Sequence, residues 1–152
     1  MYVCGNFDYD SNGDTNSAMI IIKFNFEGVK KWTRKVQGPC EDFASSIVVG
    51  PDDSLYLSAF TADAPAGFNT DYSMVVAKYN LDGTVAWQRV LDSISGSTTV
   101  GGSLFGPSNS GSTIAVGSGY VAVSGAFSNT FFDESSIKAI VAQFDTDGKT
   151  FT

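Results

Sequence analysis

The chain has 152 residues, 43% of them hydrophobic and 16% charged, with formal net charge −7 and no histidine. One domain is the natural reading of that length; no apolar run approaches the roughly 18 residues of a membrane span, and Met1-Tyr2-Val3-Cys4-Gly5 lacks the basic and apolar regions of a signal peptide. The acidic balance argues against nucleic acid as a partner, and the absence of histidine removes imidazole metal sites and Ser–His or Cys–His nucleophiles.

The sequence holds 14 Val, 12 Thr and 12 Phe against 5 Leu and 3 Glu, a bias toward residues that suit a pleated, half-buried surface. No window sustains an apolar period of 3.6, so the expected class is all-β. In chain order the expected strands are 1–7, 18–25 and 29–36; then 43–49, 54–60, 73–80 and 84–91; then 112–116, 120–127, 138–145 and a clipped 149–152. Three segments repeat. Met19-Ile20-Ile21-Ile22-Lys23-Phe24-Asn25-Phe26-Glu27-Gly28 is followed by Trp32, and Met74-Val75-Val76-Ala77-Lys78-Tyr79-Asn80-Leu81-Asp82-Gly83 by Trp87 at the same offset. The third copy is Ala139-Ile140-Val141-Ala142-Gln143-Phe144-Asp145-Thr146-Asp147-Gly148. Each Glu-Gly or Asp-Gly step predicts a tight hairpin, because glycine takes positive φ cheaply. An upstream motif matches Val3-Cys4-Gly5-Asn6-Phe7 with Tyr56-Leu57-Ser58-Ala59-Phe60 and Val123-Ser124-Gly125-Ala126-Phe127.

Four-stranded antiparallel units at this spacing are the signature of propeller blades. The run Val75-Val76-Ala77-Lys78-Tyr79-Asn80-Leu81-Asp82-Gly83-Thr84-Val85-Ala86-Trp87 resembles the SBBP-type β-propeller repeat of secreted and cell-surface proteins. The resemblance is strongest over 43–91, weaker over 1–36 and weakest after 138. It implies consecutive four-stranded antiparallel blades of a β-propeller, incomplete and open within this chain, and an extracellular, cell-surface or organelle-lumenal setting. The blades read as a remnant at 1–36, a full blade at 43–91, a long loop at 92–111, and a blade at 112–152 whose last strand is clipped. Closed propellers have about 4–8 blades, so the missing edges call for other blades of the same protein or a partner protein subunit, a further stretch of chain being favoured over a second copy. The topology would gather the loops 8–17, 37–42, 61–72, 92–111 and 128–137 on one face, which contains ten acidic residues' worth of Asp and Glu positions and no Lys or Arg.

Candidate sites follow from these loops. Asp8, Asp10, Asn12, Asp14 and Asn16 alternate around Gly13 and could wrap Ca²⁺, which takes six to eight oxygens; the Glu that closes an EF-hand is absent, Met19 standing there, and the bland reading is an Asx-rich connection. Cys4 and Cys40 fall near one end of the unit, where either a disulfide or two isolated thiols fits. Phe131 and Phe132 beside Asp133 could contact a carbohydrate or a protein, or simply anchor their loop. Trp32 and Trp87, like Phe24, Tyr79 and Phe144, read as packing between blades.

The innermost strands 43–49 and 112–116 carry no acid, so paired carboxylates for glycoside hydrolysis are not visible, and no glycine-rich loop precedes a helix. The expected function is therefore a non-catalytic interaction or structural module of a larger extracytoplasmic protein or assembly. The rivals are a carbohydrate-binding, lectin-like module and a part of a propeller enzyme whose active site lies in other blades.

Overall fold

β-Branched and aromatic residues at alternating positions, punctuated by Gly-containing turns, give ten strands; the computed structural model describes residues 1–11, 14–38, 41–62, 72–91, 113–127 and 138–150, with no helix among them. The strands are β1 (Tyr2–Ser11), β2 (Asp14–Phe24), β3 (Lys30–Val36), β4 (Asp42–Val49), β5 (Ser54–Ala62), β6 (Tyr72–Asn80), β7 (Val85–Leu91), β8 (Thr113–Gly117), β9 (Tyr120–Phe127) and β10 (Lys138–Asp145). They form three antiparallel sheets, β1-β2-β3, β4-β5-β6-β7 and β8-β9-β10. The expected all-β class stands, with the described strands in three antiparallel sheets of three or four strands.

The sheets pack face to face, with the second in the middle. Alternation along β5 sends Leu55, Leu57 and Ala59, with Val75, Ala77 and Tyr79 of β6, toward Met19 and Ile21 of the first sheet. Tyr56 and Phe60, with Met74 and Val76, go the other way, toward Ile114, Val121, Val123 and Phe144 of the third sheet. β5 is thus covered on both faces, which is why it reads as a continuous apolar run broken only by Ser54, Ser58 and Thr61. Burial of this kind stabilises by about 1.5–3 kcal/mol per large side chain, and it is concentrated in the central sheet.

Three turns share one geometry. In each, the first residue's N–H bonds the carbonyl four residues on, and the glycine N–H bonds back to the first carbonyl: Asn25 with Val29 and Gly28, Asn80 with Thr84 and Gly83, Asp145 with Lys149 and Gly148. Gly28, Gly83 and Gly148 have φ of 78°, 85° and 77°, the region where a side chain would be strained. The three Glu-Gly and Asp-Gly hairpins expected from the sequence are therefore present and in register. Lys23 pairs with Trp32 and Lys78 with Trp87, and each ladder slips by a bulge at the next residue.

Two expectations need correction. The upstream motif is out of register by one residue in two of its copies: Tyr2 lies opposite Lys23, Tyr56 opposite Lys78, and Ala122 opposite Gln143. Tyr2, not Val3, is thus the counterpart of Tyr56. Because side chains alternate, that slip moves each residue to the other face of its sheet, and Val3 accordingly sits exposed on the outer side. The second correction concerns 8–17, expected as an open connection. Its arms are paired strand backbone, Asp8 opposite Ser17, Asp10 opposite Thr15 and Ser11 opposite Asp14. Tyr9 and Thr15 are residue types that suit strands.

Candidate interaction site

The conspicuous polar construction lies where neighbouring sheets meet, and it occurs twice. From the first sheet, Lys23 Nζ donates to the Leu81 carbonyl at 3.0 Å and Trp32 Nε1 to the same oxygen at 3.2 Å. Arg34 completes the set: Nε donates to the Gly83 carbonyl at 2.9 Å and Nη2 to the Asp82 carbonyl at 3.0 Å. From the second sheet, Lys78 Nζ and Trp87 Nε1 donate to the Thr146 carbonyl at 3.1 and 2.9 Å, and Arg89 Nε to the Gly148 carbonyl at 2.7 Å. A Lys, a Trp and an Arg at relative positions 0, +9 and +11 therefore grip the hairpin turn of the next sheet. Each guanidinium also sits over its own tryptophan, 5.5 Å from the Trp32 ring and 5.7 Å from the Trp87 ring.

The chemistry of this clamp follows from its parts. A tight turn leaves carbonyls pointing outward, and burying them unpaired would cost about 1–3 kcal/mol each. Cationic donors make stronger bonds to such oxygens than neutral ones. Trp supplies apolar cover with a single donor at its edge, and the ring of Trp87 packs 6.2 Å from Tyr56 and 6.4 Å from Phe144. The glycine is needed twice over: a Cβ on Gly83 would lie 2.9 Å from Arg34 Nε, and one on Gly148 would lie 2.7 Å from the Trp87 ring.

A charged group braces the second clamp. Lys78 Nζ pairs with Asp52 Oδ2 at 2.8 Å, and the Tyr56 hydroxyl donates to the same oxygen at 2.8 Å. Partial desolvation opposes ionisation of Asp52, yet the bonds from Lys78 and Tyr56 outweigh it and hold the carboxyl below its ordinary range. Desolvation likewise disfavours charge on Lys78, and the bond to Asp52 outweighs it, raising the ammonium. Burial, with the hydrogen bond to Asp52, pushes Tyr56 up to about 12.

The sites expected from the sequence are placed as follows. Asp8, Asp10, Asp14 and Asn16 lie on the paired ends of β1 and β2, and Asn12 lies outside the described residues, so the calcium set is located only as backbone. Cys4 is half-buried on β1, opposite Ile21, and burial raises its thiol. Cys40 lies outside the described residues, as do Phe131, Phe132 and Asp133 and half of the acids of the expected acidic face. Asp42, just inside β4, is a buried acid that the sequence reading left off the inner strand; its carboxylate accepts the Gly38 N–H. A cleft of about 240 Å³ at the start of β1 is lined by Met1, Tyr2, Ile47, Val48, Val49 and Leu55, with no charged side chain. It is smaller than the roughly 300–1,000 Å³ of small-ligand pockets. The clamp itself escaped the sequence reading, although Lys23–Trp32–Arg34 and Lys78–Trp87–Arg89 repeat at identical spacing and would have signalled it.

No family model and no curated protein matches the chain.

Proposed function

We propose that the chain is a non-catalytic segment of an SBBP-type β-propeller, three consecutive blades that serve as an interaction or structural module in a larger extracytoplasmic protein or assembly. The observation that supports this reading is the repeated clamp. One sheet-to-sheet joint, made by the same residues at the same spacing, occurs between the first and second sheets and again between the second and third. A joint that repeats with a fixed polarity builds a stack by addition, as repeat proteins do. The two end sheets of such a stack keep faces designed to be covered. Val3, Phe26 and Val29 are exposed at the first sheet and Tyr120 and Val141 at the third. The chemistry in the described interfaces is that of cohesion: main-chain carbonyls, indoles and guanidinium groups facing one another.

The test is made on the purified chain. Exposed end faces predict binding of a hydrophobic dye at low micromolar protein, or self-assembly as concentration rises. A chain that stays monomeric and dye-silent at hundreds of micromolar would contradict the module reading.

A further inference from the structure

We infer that the outer face of the first sheet is the docking surface for another antiparallel sheet of the same repeat, one that carries Lys, Trp and Arg at relative positions 0, +9 and +11. This rests on the module reading and adds the identity of the partner and the end at which it docks.

The first sheet continues the pattern of the two joints between the sheets. In both, the receiving sheet offers an apolar face and the carbonyls of its Gly turn. The second sheet offers Leu57, Val75, Ala77 and Tyr79 with Leu81 and Gly83; the third offers Val123, Ile140, Ala142 and Phe144 with Thr146 and Gly148. By register, the first sheet offers Val3, Ile20, Ile22 and Phe24 with Phe26 and Gly28. The Asn25 turn has the geometry of the other two, down to the positive φ at its glycine. Its surroundings differ in one respect. Gly83 and Gly148 are buried under the clamps, whereas Gly28 is exposed, Phe26 is fully exposed and Val29 is 55% exposed. A Cβ on Gly28 would meet nothing within 4 Å. The receiving half of the joint is built, and among the described residues no clamp of the kind the other two turns carry reaches it.

The partner's chemistry follows from which side is open. The first sheet already spends its own Lys23, Trp32 and Arg34 on the second sheet. The third sheet has Gln143 where Lys23 and Lys78 stand, and in the sequence Thr152 takes the position of Trp32 and Trp87. A second copy of this chain, docking by that sheet, would bring neither the ammonium nor the indole. The occupant is therefore a unit with the full set of donors.

The experiment keeps the full chain and adds one unit. Ala122 lies opposite Gln143 as Tyr2 lies opposite Lys23, so residue 121 is the counterpart of Met1. Fusing a copy of residues 43–120 directly ahead of Met1 thus continues β8 into β1 in register. Amide exchange at Gly28 and Val29 is then read by NMR. The expected result is a slowing of roughly tenfold or more relative to the unfused chain, the factor that about 1.4 kcal/mol of added local stability gives. The effect should vanish when K78A, W87A and R89A are placed in the appended copy alone. Should the appended unit not fold, a disulfide-cyclised hairpin of sequence 73–91, titrated onto the unfused chain, should shift the Phe26, Gly28 and Val29 resonances, and its W87A form should not. Either positive result, with its control, supports the inference. Failure of both overturns it, and so does self-association of the unfused chain through Phe26 and Val29, which would make a second copy the occupant. In that last case the module reading survives while the inference does not.

Discussion

Arg34 shows what a single residue contributes to the joint. It places two N–H groups on the carbonyls of Asp82 and Gly83 while stacking on Trp32, so replacing it removes hydrogen bonds and cover together. Arg34→Ala should lower stability by about 1–2 kcal/mol in denaturant titrations, and Arg34→Lys should recover little, because a single ammonium cannot reproduce the fork. Ser58 makes the opposite case. Its Oγ is buried with no hydrogen-bond partner among the described residues, so Ser58→Ala should raise stability by about 1 kcal/mol, seen as a higher unfolding midpoint with an unchanged slope. The Asp52–Lys78–Tyr56 group sets a pH window. Asp52 is held below its ordinary value of 3.8, so its contribution is present above that pH and fades as pH falls through the lowered value. Tyr56 is raised from 10.0 to about 12 and Lys78 above 10.5, so stability declines as pH rises past about 10. Tyr56→Phe should flatten part of that alkaline decline in thermal scans taken across pH 9–12.

At the scale of elements, the turns separate backbone strain from interface contact. Gly28 and Gly83 adopt nearly the same φ, but only Gly83 lies against a clamp. Gly28→Ala should therefore cost about 1–2 kcal/mol, the strain of a side chain in the left-handed region. Gly83→Ala should cost that and a further increment for displacing Arg34, and the difference between the two variants measures the contact. The same elements show what was legible in the sequence. The Gly turns, the paired Trp positions and the alternation of Val and Ile mark strands 18–25, 73–80 and 138–145 because each depends on neighbours within a hairpin. The upstream motif was misread by one residue because Gly5, Ser58 and Gly125 suggested an alignment, whereas register is fixed by the pairing with β2, β6 and β10. The open 8–17 connection was misread for a related reason: Asp and Asn are common in turns, and here they extend a ladder instead. The clamp was the least legible feature. Its donors are visible as a spacing, but its acceptors are carbonyls, which every residue has, 48 to 68 positions further along the chain.

At the scale of the molecule, the three described sheets form a directional stack. The first sheet gives donors to the second, the third receives them at its own turn, and the central sheet does both. The core follows the same order, since β5 serves two interfaces while β1 and β9 each serve one. Leu57→Ala, at the middle of the first interface, should cost about 2–5 kcal/mol, whereas Val141→Ala on an outer face should cost well under 1 kcal/mol. The most direct test of the stack is amide exchange at Gly28, Gly83 and Gly148 in the wild type and in two double variants, Trp32→Ala with Arg34→Ala and Trp87→Ala with Arg89→Ala. The account predicts that the first variant accelerates Gly83 alone and the second Gly148 alone, with Gly28 fastest in the wild type and unmoved by either. Equal acceleration at all three glycines, or none at the turn each clamp grips, would contradict it.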